Sequence, residues 1–361
     1  MSNVKWTKEI DLKRVELMEK GFSYKDIARV LVNEFGGDFT SKKVMNRSFV
    51  TSTTKSSVLK NTVDSVSKNI NGKKIEKQSF DVKNDKILFP AEAYDVNESV
   101  SFTPEKKRRL KAIYDSFNDG KQKKILSISD LHAPFINFEA VEKALLAHGD
   151  ADILVLNGDV FDGHALSDFD KLIDFDIEVE FEQVFLFLDV ATKLFKKIIW
   201  NGGNHDFSRF IRTVSKKFGA GMKSYVLKRL NPIEYIAEKY DNITIVPNQF
   251  FQIGECVFTH PDGYSSALMS TALGQEKSIR ANAENILPNP KFTCVVQGHT
   301  HDLGEYYING CKVMEQGCMT HVMDYRFDKP ASRRWVLGYA VIQVNNDGSI
   351  DFNNTRTYLA E

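Results

Sequence analysis

Aspartate, histidine and asparagine residues cluster after short apolar runs in the last two thirds of the sequence, and their spacing indicates metal chemistry. Carboxylates, imidazoles and amide oxygens together form the ligand set of a borderline-hard divalent ion such as manganese, iron or zinc. Such an ion can polarise a substrate and acidify water. The motifs are, in chain order, Asp130-x-His132, Gly158-Asp159-x-x-Asp162, Gly203-Asn204-His205-Asp206, His260 and Gly298-His299-x-His301.

The elements that must position these motifs alternate between strand and helix. Helices are predicted at about 138–148 and 178–197, between apolar strands that end in polar residues. This alternation predicts an α/β fold with its functional side chains at the carboxyl ends of the strands. Residues i and i+2 of a strand point to the same side, so each D-x-H or H-x-H pair is expected to face one ion. The four predicted strands span 123–132, 151–160, 196–206 and 291–301.

The five motifs, in this order, resemble those of the calcineurin-like metallophosphoesterase superfamily over about residues 122–361. The resemblance implies a two-sheet αββα sandwich with two divalent metal ions between the sheets. Manganese is the favoured metal, with iron and zinc as alternatives. The implied ligands are Asp130, His132 and His301 for one ion, Asn204, His260 and His299 for the other, and Asp159 as the bridge.

The resemblance also implies roles in catalysis. A hydroxide activated by the two metals would attack phosphorus, His205 would protonate the leaving oxygen, and Asp162 would orient His205. Two further residues are candidates for substrate contact. Arg209 follows the third motif on a predicted helix and has a side chain suited to phosphate, although a solvated helix face is the alternative. His164 directly follows the second motif.

Some residues depart from particular branches of the superfamily. Gly163 and Asp206 stand where the Ser/Thr protein phosphatase branch usually has Arg and Glu, which disfavours that branch. The recombination-nuclease branch typically has His in place of Asp162 and a capping domain after the last motif. Because only about 60 residues follow His301, full membership of that branch is also disfavoured.

The N-terminal third differs from the rest in charge. Residues 1–124 hold 26 basic and 17 acidic residues, a net charge of +9, so the remainder of this neutral chain carries −9. Three short helices are predicted within residues 1–50, in a pattern that resembles a helix-turn-helix module. In such a module the last helix enters the major groove of DNA. Its candidate phosphate contacts are Lys42, Lys43 and Arg47. A protein-docking module is the alternative.

A linker and a catalytic domain are predicted after this module. Residues 51–120 are assigned to a basic flexible linker, because most of it is rich in Ser, Thr, Asn and Lys and poor in large apolar residues. A helix is predicted inside it at 104–117. Residues 121–361 form the predicted metallophosphoesterase domain.

The function expected from the sequence is metal-dependent hydrolysis of phosphodiester bonds in nucleic acid, with DNA as a partner of the N-terminal module. A phosphatase or phosphodiesterase acting on small nucleotides or phosphoproteins is one alternative, and a DNA-binding regulator with a vestigial phosphoesterase domain is another. The charged N-terminus and the lack of long apolar runs predict a cytoplasmic protein without membrane spans. The four cysteines are expected to be core residues rather than a disulfide framework.

Overall fold

The computed structural model describes two compact units, residues 1–65 and 66–361. Within them the described residues are 7–19, 24–40, 44, 104–167, 169–171, 175–206, 240–246, 249–321, 323 and 335–360, together with 209, 212, 213, 216, 217, 219, 222, 236 and 239. The predicted domain boundaries at 50 and 120 stay predictions, and most of the predicted linker lies outside the described residues.

The first unit contains the two helices α1 (Lys8–Glu19) and α2 (Tyr24–Phe35). Helix α2 has a buried apolar face, since Ile27 and Leu31 are fully buried. A glycine pair ends this helix, and Gly36 and Gly37 both have positive φ, at 64° and 89°. Of the predicted third helix only Val44 is described, so Lys42, Lys43 and Arg47 lie outside the described residues, and the helix-turn-helix interpretation stays a prediction.

The second unit is built on two mixed sheets. In the six-stranded sheet the order is β11-β10-β1-β2-β3-β4. Strands β1 to β4 run parallel, as the strand–helix alternation predicts, while β10 and β11 each pair antiparallel with their neighbour. These strands are β1 (Lys123–Ile128), β2 (Ile153–Asn157), β3 (Lys197–Asn201), β4 (Ile243–Val246), β10 (Gly338–Val344) and β11 (Arg356–Leu359).

The second sheet has five strands in the order β5-β6-β7-β9-β8. Its centre is parallel, and its two edge strands pair antiparallel with their neighbours. The strands are β5 (Phe250–Ile253), β6 (Cys256–Thr259), β7 (Cys294–Gln297), β8 (Leu303–Ile308) and β9 (Cys311–Gln316). One buried cluster joins the facing sides of both sheets, for example Val155 and Ile199 with Phe258 and Val296. The predicted two-sheet sandwich is therefore confirmed.

Helix α3 (Pro104–Phe117) has the bounds that the sequence predicts, and it lies in the second unit. Leu110, Ile113 and Phe117 are buried in the core cluster between the sheets. The sequence places this helix inside the predicted basic linker. Its apolar face packs into the core of the second unit. The local charge pattern does not indicate this packing.

Helices also cover the sandwich from outside. Residues of β2 that alternate with the inward-facing ones, such as Leu154 and Leu156, are fully buried as well, as expected for a parallel sheet covered on both faces. Helix α6 (Ser270–Ile286) packs against the outer side of the second sheet. The two crossover helices of the first sheet are α4 (Phe138–His148) and α5 (Ile177–Leu194). All four cysteines are buried and unpaired, which confirms the prediction. Among the described helices none is long and apolar enough to cross a membrane.

Candidate metal centre

The candidate ligands lie in the loops just beyond the strands rather than on the strands themselves. Strand β1 ends at Ile128 and β7 ends at Gln297, before the first histidine of each motif. The backbone of five candidate ligands is left-handed, which is rare for residues with a side chain. The φ angles are 55° at Asp130, 46° at His132, 53° at Asp159, 80° at His299 and 59° at His301. Strand alternation is therefore the wrong reason for the pairing, since a strained loop turns each pair inward.

The first half of the centre consists of Asp130, His132 and His301. The Nε2 atoms of the two histidines are 3.1 Å apart, and His301 Nε2 lies 3.1 Å from Asp130 Oδ1. His132 Nε2 is 3.8 Å from Oδ2 of Asp159, which extends from the second half of the centre. These residues are almost completely buried. Three convergent donors of this kind can hold one divalent ion.

The second half consists of Asp159, His260 and His299. Asn204, from the same motif as His205, is the fourth ligand predicted for this half. His260 Nδ1 lies 2.7 Å from the carbonyl oxygen of Asn157, so it donates its proton there and leaves the Nε2 lone pair facing Asp159 Oδ2 at 3.1 Å. Such an outer hydrogen bond fixes a histidine for metal binding. His299 Nε2 and Asn204 Oδ1 are buried, and neither has a hydrogen-bond partner within the described part of the chain. Unsatisfied buried acceptors are costly, and a cation satisfies them, so the residues fit a metal ion.

The charges of these groups reflect their mutual contacts. Burial alone would raise the pKa of Asp130, but the His301 and His260 imidazoles hold it well below its usual range. Burial opposes protonation of His132, yet hydrogen bonds to Asp130 and Asp162 raise the pKa of His132 to about 10. Burial and the charge of His260 lower the pKa of His299 to about 4. The site thus concentrates carboxylate charge, and its cation-binding character is built into the fold.

Two motif glycines allow the halves to approach each other. A Cβ atom at Gly158 would lie 2.0 Å from His260 Nδ1, and one at Gly203 would lie 2.1 Å from Asp159 Oδ1. Any other residue would displace a candidate ligand. The glycines of the G-D and G-N-H motifs are therefore required by packing at the centre.

Asp162, His205 and Arg209 form a connected group beside the centre. The Asp162 carboxylate accepts from two histidines, with Oδ1 2.9 Å from His132 Nδ1 and 3.1 Å from His205 Nδ1. Arg209 donates to the Asp162 carbonyl oxygen at 2.8 Å and lies 3.1 Å from His205 Nε2. The structure thus brings together both predicted catalytic residues and one of the two predicted substrate contacts.

The second of these contacts, His164, is packed differently. Its ring is fully buried and meets the rings of Phe135 and Phe175 at centroid distances of 5.5 Å and 5.0 Å. The structure does not place it among the candidate ligands. Substrate contact stays a prediction for His164, and its aromatic surroundings favour a packing role.

Two buried carboxylates support the site, and neither is assigned a role by the sequence reasoning. Asp206 accepts hydrogen bonds from the backbone N–H groups of Asp159, Phe161 and Gly203 at 2.8–2.9 Å, and so ties the second motif to the third. Glu180, on α5, accepts from the N–H groups that flank His164 at 2.8 Å and 2.9 Å. Asp206 is the last residue of the third motif, so the sequence could have indicated its supporting role. Glu180 has no sequence signal, since only the docking of α5 brings it to the loop.

Comparison with known families adds one match. The sequence profile described as calcineurin-like phosphoesterase matches residues 123–303, which contain all five motifs. A comparison with curated protein sequences finds no significant match.

Comparison with solved structures finds matches of low sequence identity and low TM-score. Vacuolar protein sorting 29 of Cryptosporidium parvum has 15% identity and a TM-score of 0.34, covering 66% of this chain and 97% of its own. A novel archaeal phosphodiesterase has 16% identity and a TM-score of 0.32, covering 65% and 99%. An uncharacterised protein of Streptococcus pneumoniae, described as a predicted phosphoesterase, has 12% identity and a TM-score of 0.27, covering 66% and 98%.

Proposed function

Because the chain belongs to the calcineurin-like phosphoesterase family, whose members are metal-dependent hydrolases, we propose that it hydrolyses phosphodiester bonds in nucleic acid at a dinuclear metal centre. The proposal of two metal ions rests on two neighbouring clusters of candidate ligands, one around Asp130 and one around His260. Asp159 belongs to the second cluster, and its Oδ2 atom also lies 3.8 Å from His132 of the first. A carboxylate in this position can bridge two ions.

The buried acceptors of the second cluster support the same proposal. Asn204 Oδ1 and His299 Nε2 are buried without a hydrogen-bond partner in the described part of the chain, and an ion would satisfy both. When bound, divalent ions supply Lewis acidity that neutralises phosphoryl charge and activates water, and manganese is the metal we favour for this mixed oxygen and nitrogen set.

The chain's own residues handle the proton and the phosphate. His205 Nδ1 faces both the carbonyl and the carboxylate oxygen of Asp162, at 2.9 Å and 3.1 Å, so Asp162 fixes the orientation of the ring. His205 Nε2 is then the atom that can give a proton to the leaving oxygen. Arg209 contributes a planar donor pair suited to phosphoryl oxygens, and its contact with Asp162 holds it beside His205.

The nucleic-acid substrate rests on the positive charge of the N-terminal third of the chain, which includes the first unit. Residues 1–124 carry a net charge of +9, which attracts a polyanion, while the remainder carries −9. Helices α1 and α2 share a small apolar core that includes Ile10, Leu17, Ile27 and Leu31, as expected of a folded docking module. Tethering such a module to the hydrolase would raise the local concentration of substrate.

The proposal is tested with the full chain reconstituted with Mn²⁺. Hydrolysis is measured in parallel on bis-p-nitrophenyl phosphate, p-nitrophenyl phosphate, single-stranded DNA and duplex DNA. We expect the diester to be cleaved faster than the monoester, and at least one form of DNA to be degraded. Cleavage of the diester without any attack on DNA would favour the alternative in which the substrate is a small nucleotide or a phosphoprotein. No hydrolysis of either chromogenic ester would contradict the enzymatic function itself.

A further inference from the structure

Two aromatic side chains lie against the candidate ligands, one on each half of the centre. The Tyr264 ring is 5.9 Å from the His299 ring, between centroids, and the planes are tilted by 55°. The Trp335 ring is 4.9 Å from the His301 ring and nearly perpendicular to it. None of the motifs contains these two residues, and the proposed hydrolysis does not use them.

Tyr264 is also unusually accessible for an aromatic residue beside a buried site. Its side chain is 63% exposed, and Leu268 in the same loop is 61% exposed. Since 63% of the residue is exposed, part of the ring is accessible to solvent next to the centre. Because so little of the ring is buried, its packing adds little to the stability of the fold.

The loop that carries Tyr264 is anchored at both ends. Gln249 Nε2 donates to Asp262 Oδ1 at 2.7 Å, and the backbone N–H of Ser265 donates to Thr271 Oγ1 at 2.8 Å. On the other side, the backbone N–H of Val336 donates to the carbonyl oxygen of His301 at 2.9 Å, which fixes the neighbouring Trp335. Hydrogen bonds therefore hold the backbone on either side of Tyr264 and next to Trp335.

We propose that Tyr264 is the stacking wall of a nucleobase subsite, so that the substrate is a nucleotide diester whose base lies on the tyrosine ring while its phosphate lies at the centre. Trp335 offers a second apolar surface for the other substituent of the diester. An exposed aromatic ring stacks on any base, and such contacts tolerate sequence variation. This inference rests on the proposed phosphodiesterase function and names its substrate class.

The test compares two diesters that share one leaving group. The p-nitrophenyl ester of thymidine 5′-monophosphate carries a base, while methyl p-nitrophenyl phosphate does not. In the Mn²⁺-reconstituted full chain, Tyr264→Ala should lower the ratio of kcat/KM for the first over the second by about 5- to 100-fold, the range expected for one base stack. Tyr264→Phe should retain the wild-type ratio, because it keeps the ring.

A matched control and a second readout separate this inference from the function on which it rests. Tyr306→Ala removes a comparably exposed tyrosine, on β8, and should leave the ratio unchanged. Calorimetric binding of thymidine 5′-monophosphate and methyl phosphate does not depend on turnover, and Tyr264→Ala should weaken only the nucleotide by about 5- to 100-fold. Equal effects on both phosphates, or none on either, would overturn the subsite. Loss of turnover in wild-type protein with a preserved binding difference would instead overturn the hydrolase.

Discussion

The Nη2 atom of Arg209 lies 3.1 Å from Nε2 of His205. Since a guanidinium can only donate, Nε2 is the acceptor in this arrangement and the ring proton is on Nδ1, facing Asp162. A proton for the leaving group has to be carried by Nε2. The proposed acid role of His205 therefore requires Arg209 Nη2 to turn away from it when substrate binds, toward phosphoryl oxygens, which are stronger acceptors.

Removing the Arg209 side chain should weaken substrate binding more than it slows chemistry. We expect Arg209→Ala to raise KM for bis-p-nitrophenyl phosphate by roughly tenfold, as for the loss of one charge-assisted hydrogen bond. Arg209→Lys should recover part of this loss. Steady-state kinetics measures KM and kcat separately. Arg356→Ala, at an exposed position on β11, is the control. A KM equal to wild type in Arg209→Ala would contradict a phosphate contact.

Removing His205 should slow turnover while leaving the metal bound. Its assigned function is to give a proton, so His205→Ala should lower kcat by about 10²–10⁴-fold. The loss should be smaller for a diester with a good leaving group than for one with an alkoxide leaving group, because the former needs less protonation. His321→Ala is the matched control at an exposed histidine. If His205→Ala loses metal as readily as His299→Ala, His205 is a ligand and not the acid.

Glu180 should make the stability of the protein depend on pH. Burial, with the charge of Asp162, raises the pKa of Glu180 to about 8 in the folded chain, above its ordinary value of 4.5. The folded state therefore keeps a proton that the unfolded state has released, and the free energy of unfolding falls as pH rises from about 5 to 8, by at most ~1.4 kcal/mol per pH unit. Glu180→Gln cannot ionise, so its stability should fall less steeply.

Urea denaturation of the metal-free protein at several pH values measures this difference. Glu182→Gln, at an exposed position of the same helix, should keep the wild-type slope. Identical slopes for wild type and Glu180→Gln would show that Glu180 is ionised in the folded protein.

The sequence predicts which residues meet at the centre better than it predicts how they meet. Motifs such as Asp130-x-His132 identify the cluster because metal chemistry restricts the residue types. The left-handed backbone that turns both side chains inward is imposed by the packing of the motif loops, and spacing alone suggests strand alternation instead. The supporting contact of Glu180 and the position of Tyr264 beside His299 depend on tertiary packing. Local patterns carry no information about either.

The packing of α3 determines how the first unit can be tested. A truncated chain must retain Leu110, Ile113 and Phe117, because they belong to the core of the second unit. We expect a chain lacking residues 1–65 to hydrolyse a small chromogenic diester normally and to act poorly on long DNA. Affinity of the full chain for duplex DNA, measured by fluorescence anisotropy, should fall linearly with salt on logarithmic axes.

Substituting Lys42, Lys43 and Arg47 together by glutamine should weaken this binding and reduce its salt dependence by about one unit of slope for each lost phosphate contact. Lys107→Gln with Arg108→Gln, on α3, is the control for a general loss of positive charge. Degradation of DNA by the truncated chain as fast as by the full chain would contradict tethering through the first unit.

The metal content of wild type and Asp159→Asn tests the central claim most directly. Purified protein is reconstituted with Mn²⁺, passed through a desalting column and measured by elemental analysis beside its diesterase activity. Two ions per chain are expected in wild type, with activity abolished by a chelator. Fewer than one ion is expected in Asp159→Asn, because both halves of the centre lose the carboxylate that approaches His132 and His260. Wild-type protein that retains no metal after reconstitution, or that hydrolyses the diester equally well in chelator, would contradict the account.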